Sequence, residues 1–260
     1  MNCFSREDTT VCRIVDKTTA PSSAFDQCFG DARGAQAERI PMVRLVAGDL
    51  VLASPSEVTR VVVNKKHTYA PSAPMTVLEH EHGELILTPD HVLKVDGRFV
   101  PAREAAVGAM LEPASKITKV YATSRGIVNV ITVSGKILAA ARTGDPVVAT
   151  VWTTEWLASR MLSAPYPLPF SSAVSYLFPE SAQAFFDAHG ETFVDKTVGV
   201  RRFTELRAAL PTPLALAMVY FGFDIACVVG FAAWAVCSHE GLIALLTLAA
   251  AVKARRSLKA

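Results

Sequence analysis

The chain has 260 residues, 51% of them hydrophobic and 19% charged, with a formal net charge of +2 and a mean hydropathy of +0.30. That length suits one or two domains with a real core, the apolar fraction excludes disorder, and 15 prolines with 14 glycines exclude a coiled coil. The near-neutral charge, with no basic patch before the last eight residues, gives no electrostatic case for nucleic acid as a partner.

In chain order, the opening MNCFSREDTT has no apolar core of a secretory signal, and none precedes residue 30. Residues 9–16 (TTVCRIVD) are β-branched and predict a strand. Residues 17–41, a mixture of Ala, Pro, Ser, Gln and Gly, read as an irregular surface insertion. From Met42 to about Val151 the texture is all β: short apolar runs separated by turn residues, with Asp96-Gly97 as a hairpin turn. From about Thr153 to Leu210 the pattern turns helical, with EWLASRML and SAQAFFDA as amphipathic candidates. The expected domains are therefore 1–151 (β, with 17–41 inserted), 152–212 (helical adaptor) and 213–260 (hydrophobic tail).

Pro213 to Cys237 is apolar except for Asp224 and is long enough to cross a hydrocarbon core of roughly 30 Å. A membrane-associated or transmembrane tail is the preferred expectation. Lys253, Arg255, Arg256 and Lys259 would place the C-terminus on the cytoplasmic side. The competing reading is a buried helical hairpin, favoured by Asp224, because a carboxylate in lipid needs a partner or must protonate.

The β region carries a weak repeat. Val46-Ala47-Gly48-Asp49-Leu50-Val51-Leu52 followed by VTRV at Val58 matches Ala106-Val107-Gly108-Ala109-Met110-Leu111 followed by ITKV at Ile117. Two matches in the same order and at nearly the same spacing predict a duplicated, pseudo-twofold β unit. The five cysteines show no CxxC spacing, so neither a zinc site nor any other cofactor is expected. A Cys12–Cys28 disulfide is compatible with the sequence, which does not decide it. His80 and His82 read as alternating strand positions and not as metal ligands.

Cys3-Phe4 stands just before the first strand, Leu87-Thr88-Pro89-Asp90-His91 holds a Thr and a His three apart around a proline, and Asp145 lies between ITVSGKILAA and PVVATVW. With Leu45-Val46-Ala47-Gly48-Asp49-Leu50-Val51-Leu52, this set resembles the Hint (hedgehog/intein) domain, and most closely the autoprocessing domain of hedgehog proteins. The resemblance covers about residues 3 to 151. It implies a mostly β, pseudo-twofold Hint-type fold followed by α-helices and the hydrophobic C-terminal helical tail.

The resemblance also implies a self-cleaving, single-turnover, cysteine-dependent activity. The Cys3 thiol attacks the carbonyl of Asn2 in an N-to-S acyl shift. His91 protonates the leaving amide nitrogen, and Thr88 hydrogen-bonds the scissile peptide. The thioester then passes to a sterol-like hydroxyl, a thiol or water. The substrate is the chain's own N-terminal segment, and a sterol or other lipid is the candidate acceptor.

Inteins end in His-Asn, which Lys136-Ile137-Leu138-Ala139-Ala140 lacks, so splicing is not expected. Hedgehog domains carry an acid in the region that reads Val61-Val62-Val63-Asn64-Lys65-Lys66-His67 here, so Asn64 or His67 would have to stand in. A late hedgehog cysteine falls on Asp145, as a base or simply a turn residue. Cys28-Phe29 is a second Cys-Phe, but no strand follows it, which favours Cys3. Cleavage there releases only Met1-Asn2, so a longer precursor, which can travel the secretory pathway, is expected. Two rivals remain: an inactive membrane-associated Hint module serving as a structural or interaction domain, and a papain-like protease, which would need a helix behind its cysteine.

Overall fold

The computed structural model describes residues 3–65, 72–151, 169–198 and 212–237. His67 and the EWLASRML segment lie outside the described residues. The chain divides into two compact units, residues 1–167 and 168–260, where three parts with boundaries after 151 and 212 were expected.

The first unit is almost entirely antiparallel sheet, as its β-branched texture predicts. Among the described residues its fourteen strands are β1 (Phe4–Ser5), β2 (Thr10–Ile14), β3 (Ala37–Pro41), β4 (Leu50–Ser54), β5 (Glu57–Lys65), β6 (Ala73–His80), β7 (Gly83–Leu87), β8 (Val92–Val95), β9 (Arg98–Pro101), β10 (Met110–Leu111), β11 (Ser115–Arg125), β12 (Ile127–Thr132), β13 (Lys136–Ala140) and β14 (Val147–Thr150). The expected hairpin turn joins β8 to β9, with positive φ at both Asp96 and Gly97. A continuous core of Phe4, Val11, Leu45, Val61, Leu78, Leu87, Leu93, Leu111, Val128 and Ile137 fills the interior.

The duplication is visible bond by bond. β2 pairs with β3 and β4 much as β8 pairs with β9 and β10. In each copy a 3-10 turn follows, Met42–Arg44 and Ala102–Glu104. The amide of each turn's first residue donates back to the carbonyl just before the inner strand: Met42 to Thr9 at 2.9 Å, Ala102 to His91 at 2.8 Å. Gly48 and Gly108 both take φ +93°, a left-handed conformation that costs a residue with a Cβ about 1 kcal/mol or more. Their amides donate to Val61 and Ile117, both at 2.8 Å. The sequence repeat was thus the trace of a repeated backbone turn.

Residues 17–41 are not an irregular insertion. Pro21–Phe29 form helix α1, with Pro21 in the first turn where a missing N–H costs nothing. Ala37–Pro41 form β3, paired with β2 along its whole length. Cys12 and Cys28 form a disulfide with Cα atoms 5.6 Å apart, tying α1 to β2. The small residues that made this stretch look loop-like let α1 lie close to the sheet, where Ala24, Cys28, Leu52 and Leu138 share a second buried cluster.

In the second unit the described elements are helices α2 (Pro169–Leu177), α3 (Pro179–Val198) and α4 (Thr212–Cys237). SAQAFFDA falls within α3. Phe185 and Phe231 cross edge-on with centroids 6.0 Å apart, and Trp234 lies 5.9 Å from Phe231. The expected transmembrane helix is not found: among the described residues no helix is long and apolar enough to cross a membrane. α4 rests on α2 and α3, and its Asp224 is fully buried.

Candidate functional site

The site is built where the short strand β1 enters the sheet. β1 lies between β7 and β12, with Phe4 opposite Leu87 on one side and Val128 on the other. Strand pairing on both flanks fixes the backbone that follows Cys3, which is fully buried and outside any disulfide. The next residue after β7 is Thr88, so the β1–β7 pairing sets Thr88 beside Cys3.

The contact is reciprocal. The Cys3 backbone N–H donates to Thr88 Oγ1 at 3.0 Å, and the Thr88 N–H donates to the Cys3 carbonyl at 2.9 Å. The first of these is the amide of the Asn2–Cys3 bond. Pro89 then forces a tight turn, closed by the His91 N–H donating to the Thr88 carbonyl at 2.9 Å. The turn is braced from outside: the Arg103 amide donates to the Pro89 carbonyl at 2.9 Å, and the Arg103 guanidinium pairs with the Asp90 carboxylate.

His91 comes out of this turn fully buried. Its Nε2 lies 2.7 Å from the Thr150 carbonyl, and its Nδ1 lies 3.2 Å from the Cys3 carbonyl. The Phe4 ring stands edge-on to the imidazole with centroids 4.4 Å apart. Burial pushes the His91 pKa down to about 4, against the pull of the two carbonyls, so the ring is neutral at pH 7.

A neutral imidazole carries one N–H. The shorter contact assigns it to Nε2, donated to Thr150, which leaves the Nδ1 lone pair directed at the Cys3 backbone. That lone pair and the Cys3 carbonyl are both acceptors. A proton arriving on Nδ1 would convert this contact into a hydrogen bond to the Cys3 carbonyl, a pull that burial outweighs in the resting site. Thr150 is in turn held by its own hydroxyl, which donates to the Val92 carbonyl at 2.8 Å.

Thr88 and His91 therefore meet at the backbone of Cys3. Asn64 and Asp145 do not join them, and His67 lies outside the described residues. Asn64 is buried, but its amide donates to the carbonyls of Met42 and Leu45 at 3.0 and 2.9 Å, spanning the first 3-10 turn. Asp145 is exposed, and its backbone N–H donates to the His82 carbonyl at 2.9 Å. Its neighbour Gly144 bridges to Gly83 at the start of β7. Thr88 lies five residues further on, roughly 16 Å at about 3.3 Å per strand residue. The β13–β14 connection thus delivers Asp145 to the wrong end of β7, beside Arg39, whose guanidinium donates to the Gly144 carbonyl at 3.2 Å.

The rival nucleophile Cys28 is consumed in the disulfide. Among the described residues no group of three His, Cys, Asp or Glu side chains could hold a metal ion. His80 is buried, with Nδ1 2.7 Å from Ser115 Oγ, and its pKa is lowered by burial. It faces inward from the end of β6, while His82 lies on the turn that follows the strand and is exposed, so the two do not share a strand face. Two contributors to the site escaped the sequence reading. Thr150 acts through its carbonyl, which carries no residue signature. Phe4 was legible only as the partner of Cys3.

No protein-family model matches the chain, and no curated protein does. Solved structures similar to it include the VidaL intein, at 12% identity over 57% of this chain and 95% of that one, TM-score 0.40. A DnaB intein from Synechocystis is 11% identical over 58% and 99%, TM-score 0.40. A bacterial intein-like domain from Clostridium thermocellum is 16% identical over 58% and 99%, TM-score 0.38.

Proposed function

We propose that this chain is a Hint-type autoprocessing domain that cleaves the Asn2–Cys3 bond through a thioester. The observation that carries the reading is the convergence of Thr88 and His91 on the two backbone groups of Cys3. The Cys3 thiol adds to the Asn2 carbonyl carbon as its proton passes to Nδ1 of His91. The C–S bond forms and the C–N bond breaks, and the proton held on His91 goes to the departing Cys3 nitrogen. The products are an Asn2 thioester and a free Cys3 amine. Thr88 Oγ1, already bonded to that nitrogen, holds the amide in place while it becomes tetrahedral.

The thioester is then released by an external nucleophile. The finer reading is a lipid hydroxyl of sterol type, with thiol and water as the simpler acceptors. The Cys12–Cys28 disulfide supports an oxidising compartment, in keeping with a secretory precursor.

A reporter protein fused ahead of Met1 tests the reading. With dithiothreitol or hydroxylamine present the fusion is expected to split between Asn2 and Cys3. Cys3→Ala and His91→Ala should abolish cleavage, and Thr88→Val should slow it by about 10²–10³-fold, the size of effect seen when one preorganised hydrogen-bonding group is removed. A fusion that stays whole under both nucleophiles sinks the proposal in favour of an inert module. Cleavage that survives Cys3→Ala would move the nucleophile elsewhere.

A further inference from the structure

The outer face of α4 is apolar at its described exposed positions from Met218 to Val236. Met218, Ile225, Val229 and Val236 are 52%, 51%, 62% and 68% exposed, and Gly222 and Ala232 are exposed between them. These positions recur at three- and four-residue intervals, so they form one stripe, about 27 Å long at 1.5 Å per residue. The opposite face buries Asp224 and Cys227 and packs through Phe231 and Trp234 on Phe185.

A helix on a surface that meets only water carries its charges outward. Here the one charged residue between Thr212 and Cys237 is Asp224, and it points inward. The chain that follows is chemically one-sided as well. From Gly241 to Ala260 it has no acidic residue, and it carries Lys253, Arg255, Arg256 and Lys259 within seven positions.

We propose that the outer stripe of α4 lies in the plane of an anionic lipid bilayer, with the four C-terminal cations bound to headgroup charge. The apolar stripe suits the acyl boundary, and the cations suit a negatively charged leaflet. A second copy of the chain fits less well, because it would bring four more cations and no acidic residue in the same segment to complement them. The proposal is independent of the cleavage chemistry.

The experiment is flotation of the full chain, carrying Cys3→Ala so that it stays intact, with vesicles of phosphatidylcholine alone or with phosphatidylserine added at roughly three parts in ten. Flotation is expected with the anionic vesicles. Partition should fall about tenfold or more when salt rises from ~0.05 to ~0.5 M. Ile225→Glu with Val229→Glu should abolish it, and reversing all four cations to Glu should do the same while leaving the stripe intact. Both sets of changes lie at exposed positions or in the C-terminal segment, and an unchanged circular dichroism spectrum shows that the helices persist. Equal binding to neutral vesicles, no binding to either, or a salt-insensitive dimer abolished by the α4 changes overturns the proposal.

Discussion

The two halves of the β unit share a backbone and divide the labour. In each, an inner strand, an outer strand, a 3-10 turn and a left-handed glycine follow in order, with matching hydrogen bonds. The carbonyl that receives the turn's first amide belongs to Thr9 in the first half and to His91 in the second. The first half is armoured: β5 is buried along most of its length, Asn64 spans the 3-10 turn, and a disulfide pins α1 to β2. The second half presents β11 largely to solvent and spends its equivalent position on a buried imidazole. Repetition supplied the frame, and a single position in one copy carries the imidazole to which the proposed function assigns the proton chemistry.

The largest effect that would test this contrast is a paired substitution. His91→Ala should remove cleavage, a loss of about 10²–10⁴-fold or more for a general acid–base group. Thr9→Ala, at the equivalent backbone position, should leave the cleavage rate of the reporter fusion within about threefold, because no proton passes there. Comparable losses in both variants would show that the position matters for the frame and not for the chemistry.

Acid should separate the halves next. His91 has its folded pKa depressed from 6.5 to about 4, so the unfolded chain binds the proton more readily. Stability is then full above pH ~6.5 and falls as pH drops toward 4, by about 3 kcal/mol at ~1.36 kcal/mol per unit. Denaturant titrations at pH 7 and pH 4.5 should show this loss in the Cys3→Ala chain and a flatter profile once His91→Gln is added. Over the same range the cleavage rate should hold until His91 protonates near pH 4.

The first half should respond to reduction. Cys12 and Cys28 lie 16 residues apart, and closing a loop of that size is worth about 3 kcal/mol. Cys12→Ala with Cys28→Ala should lower stability by that order in denaturant while reporter cleavage continues. Loss of cleavage with the fold retained would place Cys28, not Cys3, in the reaction.

What could be read beforehand follows the range of the interaction. Thr88 and His91 sit on one proline turn, and the repeat announced itself through Gly48 and Gly108, where the backbone demands a particular residue. Strand alternation would set His80 and His82 on one face, but β6 ends at His80 and the turn leaves His82 exposed. Asp145 was placed by the strands that flank it, but which end of β7 those strands reach is decided by sheet order, which no local pattern encodes. β3 was hidden by its Ala- and Pro-rich approach, and it forms because β2 offers an edge to fill. Thr150 contributes a carbonyl, a group every residue has.

Asn64 is where the two kinds of information meet. Its place in the chain suggested a stand-in for a catalytic acid, and its bonds make it a brace. The side-chain amide donates to the carbonyls of Met42 and Leu45 from full burial, adding to the bond that the Met42 carbonyl already receives from the Leu45 amide. Losing buried hydrogen bonds of this kind costs about 1–3 kcal/mol. Asn64→Ala should therefore destabilise the chain by roughly 2 kcal/mol in denaturant and leave the cleavage rate of the folded fusion close to that of the parent. Asn64→Asp separates the roles more sharply. An acidic side chain brings no N–H to the two carbonyls, so a brace is broken as badly as by Ala, whereas a site waiting for its acid would speed acyl transfer to an alcohol. Faster transfer with Asn64→Asp would return this residue to the reaction, and a stability loss alone would keep it in the frame.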